Sequence, residues 1–213
     1  MGTDVTGTRT AIVDAVAAVA PLAFVYFSGW AYLSAYLGDF DIDATQVNIS
    51  IATVLVYAFV PIWTLKVLGT IAALALVYLL TVLWRPLVKP ARRAAPVMLL
   101  VGSVVLLFAV KESGGAEAYR MARLVWQGQK SISNMVVKLP DKPDPTYDAY
   151  KSCKDSRRLR QILGTNDTMY VLCRNEHLPC WHAILYAIRS DGTITYSAER
   201  RRQENGTMES CKA

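Results

Sequence analysis

The chain has 213 residues, 53% of them hydrophobic, with a net charge of +6 and a positive mean hydropathy. That length allows one or two domains, and the apolar residues are too unevenly spread for a uniformly soluble one. Between residues 15 and 110 the only charges are Asp39, Asp41, Asp43, Lys66 and a basic cluster at 85–93, whereas from residue 111 onward the chain has ordinary soluble character. The sequence therefore predicts a membrane region over 1–112 and a polar domain over 113–213. The stretch from Lys111 to the end holds 17 basic and 12 acidic residues. That mild excess keeps a domain soluble and gives no reason to expect nucleic acid.

Residues 15–37 form a 23-residue run without charge. At roughly 1.5 Å per residue the run covers the ~30 Å hydrocarbon core of a bilayer. It is longer than the h-region of a cleavable signal peptide, so we read it as an uncleaved span. Ser28, Tyr32 and Tyr36 recur every four residues and share one helical face, which suits an aromatic belt and close helix packing. Residues 38–50 form a loop with Asp39, Asp41 and Asp43 and no basic residue. A calcium loop starts with the same alternating acids. It then needs a glycine at its sixth position and a glutamate at its twelfth, where this chain has Ala44 and Ser50.

Residues 51–84 are too long for one straight span, and Pro61 is expected to kink the segment. If the span proper covers 67–84, Lys66 snorkels at its outer end and residues 51–60 lie near the interface. The competing reading makes Lys66 a functional intramembrane lysine. A basic turn over 84–96 follows, with Arg85, Lys89, Arg92, Arg93 and three prolines. Residues 94–110 make a third, short span.

Basic residues favour the cytoplasmic side of a membrane. With the N terminus inside, the cytoplasm receives Arg9, Arg85, Lys89, Arg92 and Arg93, and the outside receives Lys111, Arg120, Arg123 and Lys130. That balance does not choose an orientation. The first loop, free of basic residues, and the confinement of all four cysteines to the polar domain do choose. Both favour a cytoplasmic N terminus and an outward-facing domain in an oxidising compartment. The Ala-, Val- and Arg-rich usage reads as bacterial, which makes the location an inner membrane with the polar domain periplasmic or extracellular.

In the polar domain, 117–126 reads as a helix set apart from the last span by Gly114-Gly115. A short strand is expected at 135–139, a stiff link at Pro140, Pro143 and Pro145, and a helix over 156–163 with Arg157, Arg158 and Arg160 on its surface. A turn at 164–167 precedes strands at 168–174, 181–189 and 193–198, the last two joined at Asp191-Gly192. The fold class is thus three transmembrane helices plus a small α+β domain with an antiparallel sheet, of a size at which disulfides help.

Cys173, His177, Cys180 and His182 lie within ten residues and are zinc-capable, but their spacing matches no standard zinc motif. Disulfides fit the pattern better. Cys173 with Cys180 would close the mouth of a hairpin, and Cys211 would clip the tail to Cys153, although four cysteines allow three pairings. No nucleophile elbow, P-loop, zinc-protease helix or dinucleotide glycine pattern is present. The leading expectation is therefore non-enzymatic and without a cofactor. The spans, embedded in a lipid bilayer, anchor a domain that binds a protein partner as an assembly factor, regulator or toxin-neutralising protein, with Arg200, Arg201 and Arg202 as candidate contacts. A homo-oligomerising membrane effector or pore, lined by Lys66 and the Tyr/Ser face, is the second reading. A metal- or thiol-dependent enzyme is the third.

Overall fold

The computed structural model describes the backbone of residues 5–83, 89–174, 182–201, 203–204 and 207–208, and the side chains of 18–80, 100–174 and 182–201. The chain divides into two compact units, Met1–Leu33 with Ile51–Glu117, and Ser34–Ser50 with Ala118–Ala213.

The first unit is helical. Helix α1 (Val5–Gly38) runs past Pro21 without ending and is already helical ahead of the apolar run. The segment expected to kink is broken into α2 (Ile51–Tyr57), α3 (Phe59–Ile62) and α4 (Leu65–Leu83). Pro61 has no N–H to offer the helix. Thr64 closes the break, its hydroxyl donating to the Pro61 carbonyl at 2.7 Å. The chain bends there by 78°. Among the described residues one helix, Ala18–Gly38, is long and apolar enough to cross a membrane, or two if the bent pair counts as one span.

Helix α5 (Lys89–Trp126) has 38 residues. It begins inside the expected basic turn, contains the expected third span, and continues through the helix expected to be separate. Gly114-Gly115 therefore does not divide it. A helical glycine costs only about 1 kcal/mol, and the helix is closely packed at Gly114, where an added Cβ would stand in ordinary contact, 3.6 Å from both Pro61 Cβ and the Tyr32 nitrogen. Trp84, Arg85, Pro86, Leu87 and Val88 lie outside the described residues, as do the side chains of Lys89, Arg92 and Arg93.

In the second unit, α5 ends in a reversal at Gly128, whose φ is +75°. The Gly128 and Gln129 amides close onto the carbonyls of Val125 and Leu124, both at 2.9 Å, which satisfies carbonyls left open at a helix end. Helix α6 (Pro145–Asp155) starts at the last proline of the expected link and fills a stretch for which no element was expected. Asp144 caps it by accepting from the Thr146 amide at 2.8 Å, and Pro145 takes the first turn.

Strands β1 (Leu159–Gly164), β2 (Thr168–Arg174), β3 (His182–Arg189) and β4 (Ile194–Arg201) form an antiparallel sheet in the order β1-β2-β3-β4. A short pair, β5 (Gln203–Glu204) and β6 (Thr207–Met208), stands apart from it. The domain is therefore α+β with a four-stranded antiparallel sheet, as its patterning indicates. The β3–β4 hairpin turns at Gly192, with φ +84°. Asp191 contributes through its side chain instead, accepting from the Thr193 amide at 2.9 Å. That bond holds its carboxyl below the usual range.

Two expectations are corrected. Residues 156–163 are not a helix: Leu159, Arg160, Ile162 and Leu163 are buried in β1, paired with β2. Residues 135–139 are not a strand. They are strapped down singly, by the Tyr150 hydroxyl donating to the Met135 carbonyl at 3.0 Å and the Lys138 amide donating to the Gly192 carbonyl at 2.9 Å. Tyr150 and Cys153 of α6 form the core with Leu159, Val171, Cys173, Tyr186 and Ile188.

Candidate functional site: the disulfide-bound domain and its sheet edge

Cys153 and Cys173 form a disulfide, with Cα atoms 6.0 Å apart. This excludes both bonds of the hairpin-mouth pairing. The physical reason is α6, which sequence reasoning missed: it carries Cys153 into the same core cluster as Cys173 on β2. Cys180, His177 and Cys211 lie outside the described residues. With Cys173 oxidised, the Cys/His quartet lacks one thiolate, and His182 Nε2 faces a Glu199 carboxylate oxygen at 3.4 Å. Among the described residues no three His, Cys, Asp or Glu side chains gather where a metal ion would bind. A protein disulfide of this kind is favoured in an oxidising compartment.

The acidic loop is committed to local structure. Asp43 caps a single 3-10 turn by accepting from the Thr45 amide at 2.9 Å and hydroxyl at 2.8 Å. Those bonds hold its carboxyl below the ordinary value. Phe40 stacks on Trp126 with ring centroids 5.6 Å apart, and the Trp126 indole N–H donates to the Asp39 carbonyl at 3.4 Å. This loop and the end of α5 are therefore one packed piece.

Lys66 has a partner that sequence spacing did not reveal. Its ammonium donates to Glu112 Oε1 at 2.9 Å, with the two side chains 67% and 72% exposed. The Tyr/Ser face of α1 is used in packing. Ser28, Tyr32 and Tyr36 are buried, Ser28 donates back to the Phe24 carbonyl at 2.7 Å, and Tyr32 stacks on Tyr57 at 5.6 Å.

Among the described residues of the second unit Arg160 is the buried cation, 8% exposed. Its Nε and Nη2 donate to the Gly128 carbonyl at 3.1 and 2.8 Å, and its Nη1 donates to the carbonyls of Arg157 and Leu159 at 2.8 and 2.7 Å. Burial, then the nearby Arg174 charge, lowers its pKa from the ordinary guanidinium value. The two bonds to Gly128 hold the α5 terminus to the sheet, where the helix dipole favours a cation, and the two to Arg157 and Leu159 fix the guanidinium on its own strand.

The open part of the domain is β4. It is the last strand of the sheet, and no described strand pairs with its outer side. Thr195, Tyr196, Ser197, Glu199 and Arg201 are exposed along it. Arg200 donates to the Tyr196 hydroxyl at 3.0 Å and lies over that ring at 6.0 Å. Arg202 lies outside the described residues. At the start of the strand a shallow groove of about 210 Å³ is lined by Lys138, Asp141, Asp144, Tyr147, Thr193 and Ile194. Comparison of the chain with protein-family models, with curated proteins and with solved structures returned no match.

Proposed function

We propose that the chain is an integral membrane protein whose three spans anchor an outward-facing, disulfide-bonded domain, and that this domain binds a protein partner along β4. The spans are α1, α4 and the 94–110 portion of α5, in a bacterial inner membrane with the N terminus cytoplasmic. The observation carrying the membrane half is exposed apolar surface. Leu65, Leu76, Tyr78, Leu79, Leu100 and Phe108 all present more than half of their area, a concentration of exposed apolar side chains on α4 and α5 that suits contact with lipid. The Phe40–Trp126 contact supports the count of spans. It keeps the first loop and the polar domain on one side, so the chain between them crosses an even number of times. Helices α4 and α5 supply two crossings, and α1 supplies the third.

The partner half rests on the outer edge of β4, with which no described strand pairs. An unpaired edge strand offers a row of backbone donors and acceptors to an extended segment. Arg200 and Arg201 at one end favour a segment carrying acidic residues. Photo-crosslinking residues at Thr195 and Ser197 should give a discrete protein adduct in intact cells, lost in an Arg200→Glu/Arg201→Glu variant. The same probe at Lys151 or Ser152, on the exposed side of α6, should give none. Equal labelling at both places, or none at β4, would remove the partner reading.

A further inference from the structure

We propose that Ile51–Ile62, with Trp63, is a membrane-surface element lying in the head-group region of the outer leaflet. The inference rests on the membrane reading above and adds to it where the lipid boundary runs. Along α2 and α3, Val54, Ala58 and Pro61 are buried, and a Cβ on Gly29 would collide with the Val54 carbonyl oxygen. One face is thus fixed against the protein. The opposite face presents Val56 at 68%, Phe59 at 58% and Trp63 at 71% exposure, and Ile51 is exposed at the start of α2. No charged residue occurs between Asp43 and Lys66.

The apolar face is continuous with the lipid-facing surface of α4 through Trp63, Leu65 and Leu68, all exposed. The 78° bend turns Ile51–Ile62 nearly at right angles to α4. When α4 crosses the bilayer, the preceding segment therefore runs close to the membrane plane. Its length fits that role, because α4 alone, with 19 residues, spans about 28 Å at a 1.5 Å rise and needs no contribution from α2 or α3 to cross. Trp63 then sits at the interface, the depth at which tryptophan is enriched, and Lys66 with Glu112 marks the same outer level. Because the face carries no basic residue, its insertion draws on apolar burial and not on anionic lipid.

The test is a depth map of the full-length chain in vesicles of phosphatidylethanolamine with varied phosphatidylglycerol. A nitroxide-bearing residue replaces Val56, Phe59 or Trp63 in turn, and Leu68, Ile71, Leu76 or Leu79 in α4. Collisions with oxygen and with a water-soluble nickel chelate report the depth of each. The three surface positions should share one shallow depth, roughly 5–10 Å into the head-group boundary, unchanged by phosphatidylglycerol content. The α4 positions should deepen by about 1.5 Å per residue toward the bilayer centre. Progressive deepening from Val56 to Trp63, water-like nickel collisions there, or shielding from both reagents would overturn the proposal while leaving α4 a span. Water-like collisions along α4 as well would overturn the membrane reading with it.

Discussion

Gly29 and Gly69 are both helical glycines in the first unit, and they should behave oppositely. A side chain on Gly29 meets the Val54 backbone, whereas Gly69 has nothing within 4 Å of the Cβ position. Gly29→Ala should cost about 3 kcal/mol by overpacking and lower the thermal midpoint in detergent. Gly69→Ala should leave stability unchanged or raise it by up to about 1 kcal/mol through helix propensity. Equal effects would mean that α1 and α2 do not approach as closely as described. In the second unit, Tyr150 is fully buried against Tyr186. Burial, then Tyr186, raises its pKa from 10.0 to about 12. The folded state thus holds the phenol proton that the unfolded state releases. By linkage, this contribution to stability is complete below pH 10 and is lost as pH rises toward 12. Chemical denaturation followed across that window should show the midpoint falling. Tyr150→Phe should flatten the fall while costing about 1 kcal/mol at neutral pH, because the bond to the Met135 carbonyl is gone.

Arg160 shows at the level of elements why β1 was illegible in the sequence. Three arginines within 157–160 look like the solvated face of a helix. What makes Arg160 a strand residue is a set of acceptors, one of them the Gly128 carbonyl more than thirty residues earlier, and no local pattern encodes that. Strands β2, β3 and β4 were legible because their β-branched and aromatic content sits between strong turn residues, Asp191-Gly192 above all. Helix α6 was hidden by its own start signal: Asp144-Pro145 can open a helix or close a loop, and the prolines before it favoured the loop. Missing α6 then misplaced the disulfide. Arg160→Ala should therefore lower the urea midpoint by an amount equivalent to about 2–3 kcal/mol, since four charged hydrogen bonds to backbone carbonyls are lost together. Arg160→Lys should recover only part of this, lacking the planar fork. Reducing Cys153–Cys173, 20 residues apart in sequence, should cost about 3 kcal/mol through the freed unfolded chain. A melting curve indifferent to reductant would show that the core holds α6 without it.

The whole molecule is best tested by where its thiols are and when they can be reached. With Cys153 and Cys173 bonded, Cys180 and Cys211 have only each other as intramolecular partners. A domain outside the cytoplasm should export all four as two disulfides. Intact cells treated with a membrane-impermeant maleimide should then show no label, and four labels per chain after an added reductant, read as a mass shift of the intact protein. Labelling by the same reagent only after lysis, without reductant, would put the domain in the cytoplasm. Two labels before reduction and four after would keep the orientation and leave Cys180 and Cys211 as thiols. The orientation is worth testing through the cysteines because the basic residues cannot decide it: Arg120, Arg123 and Lys130 follow the last apolar stretch almost as densely as Arg85, Lys89, Arg92 and Arg93 precede it. The fold adds a constraint that neither set of charges carries. The Phe40–Trp126 contact ties the basic-free loop to the cysteine-bearing domain, so the two features that favour an outward face belong to one body and must stand or fall together.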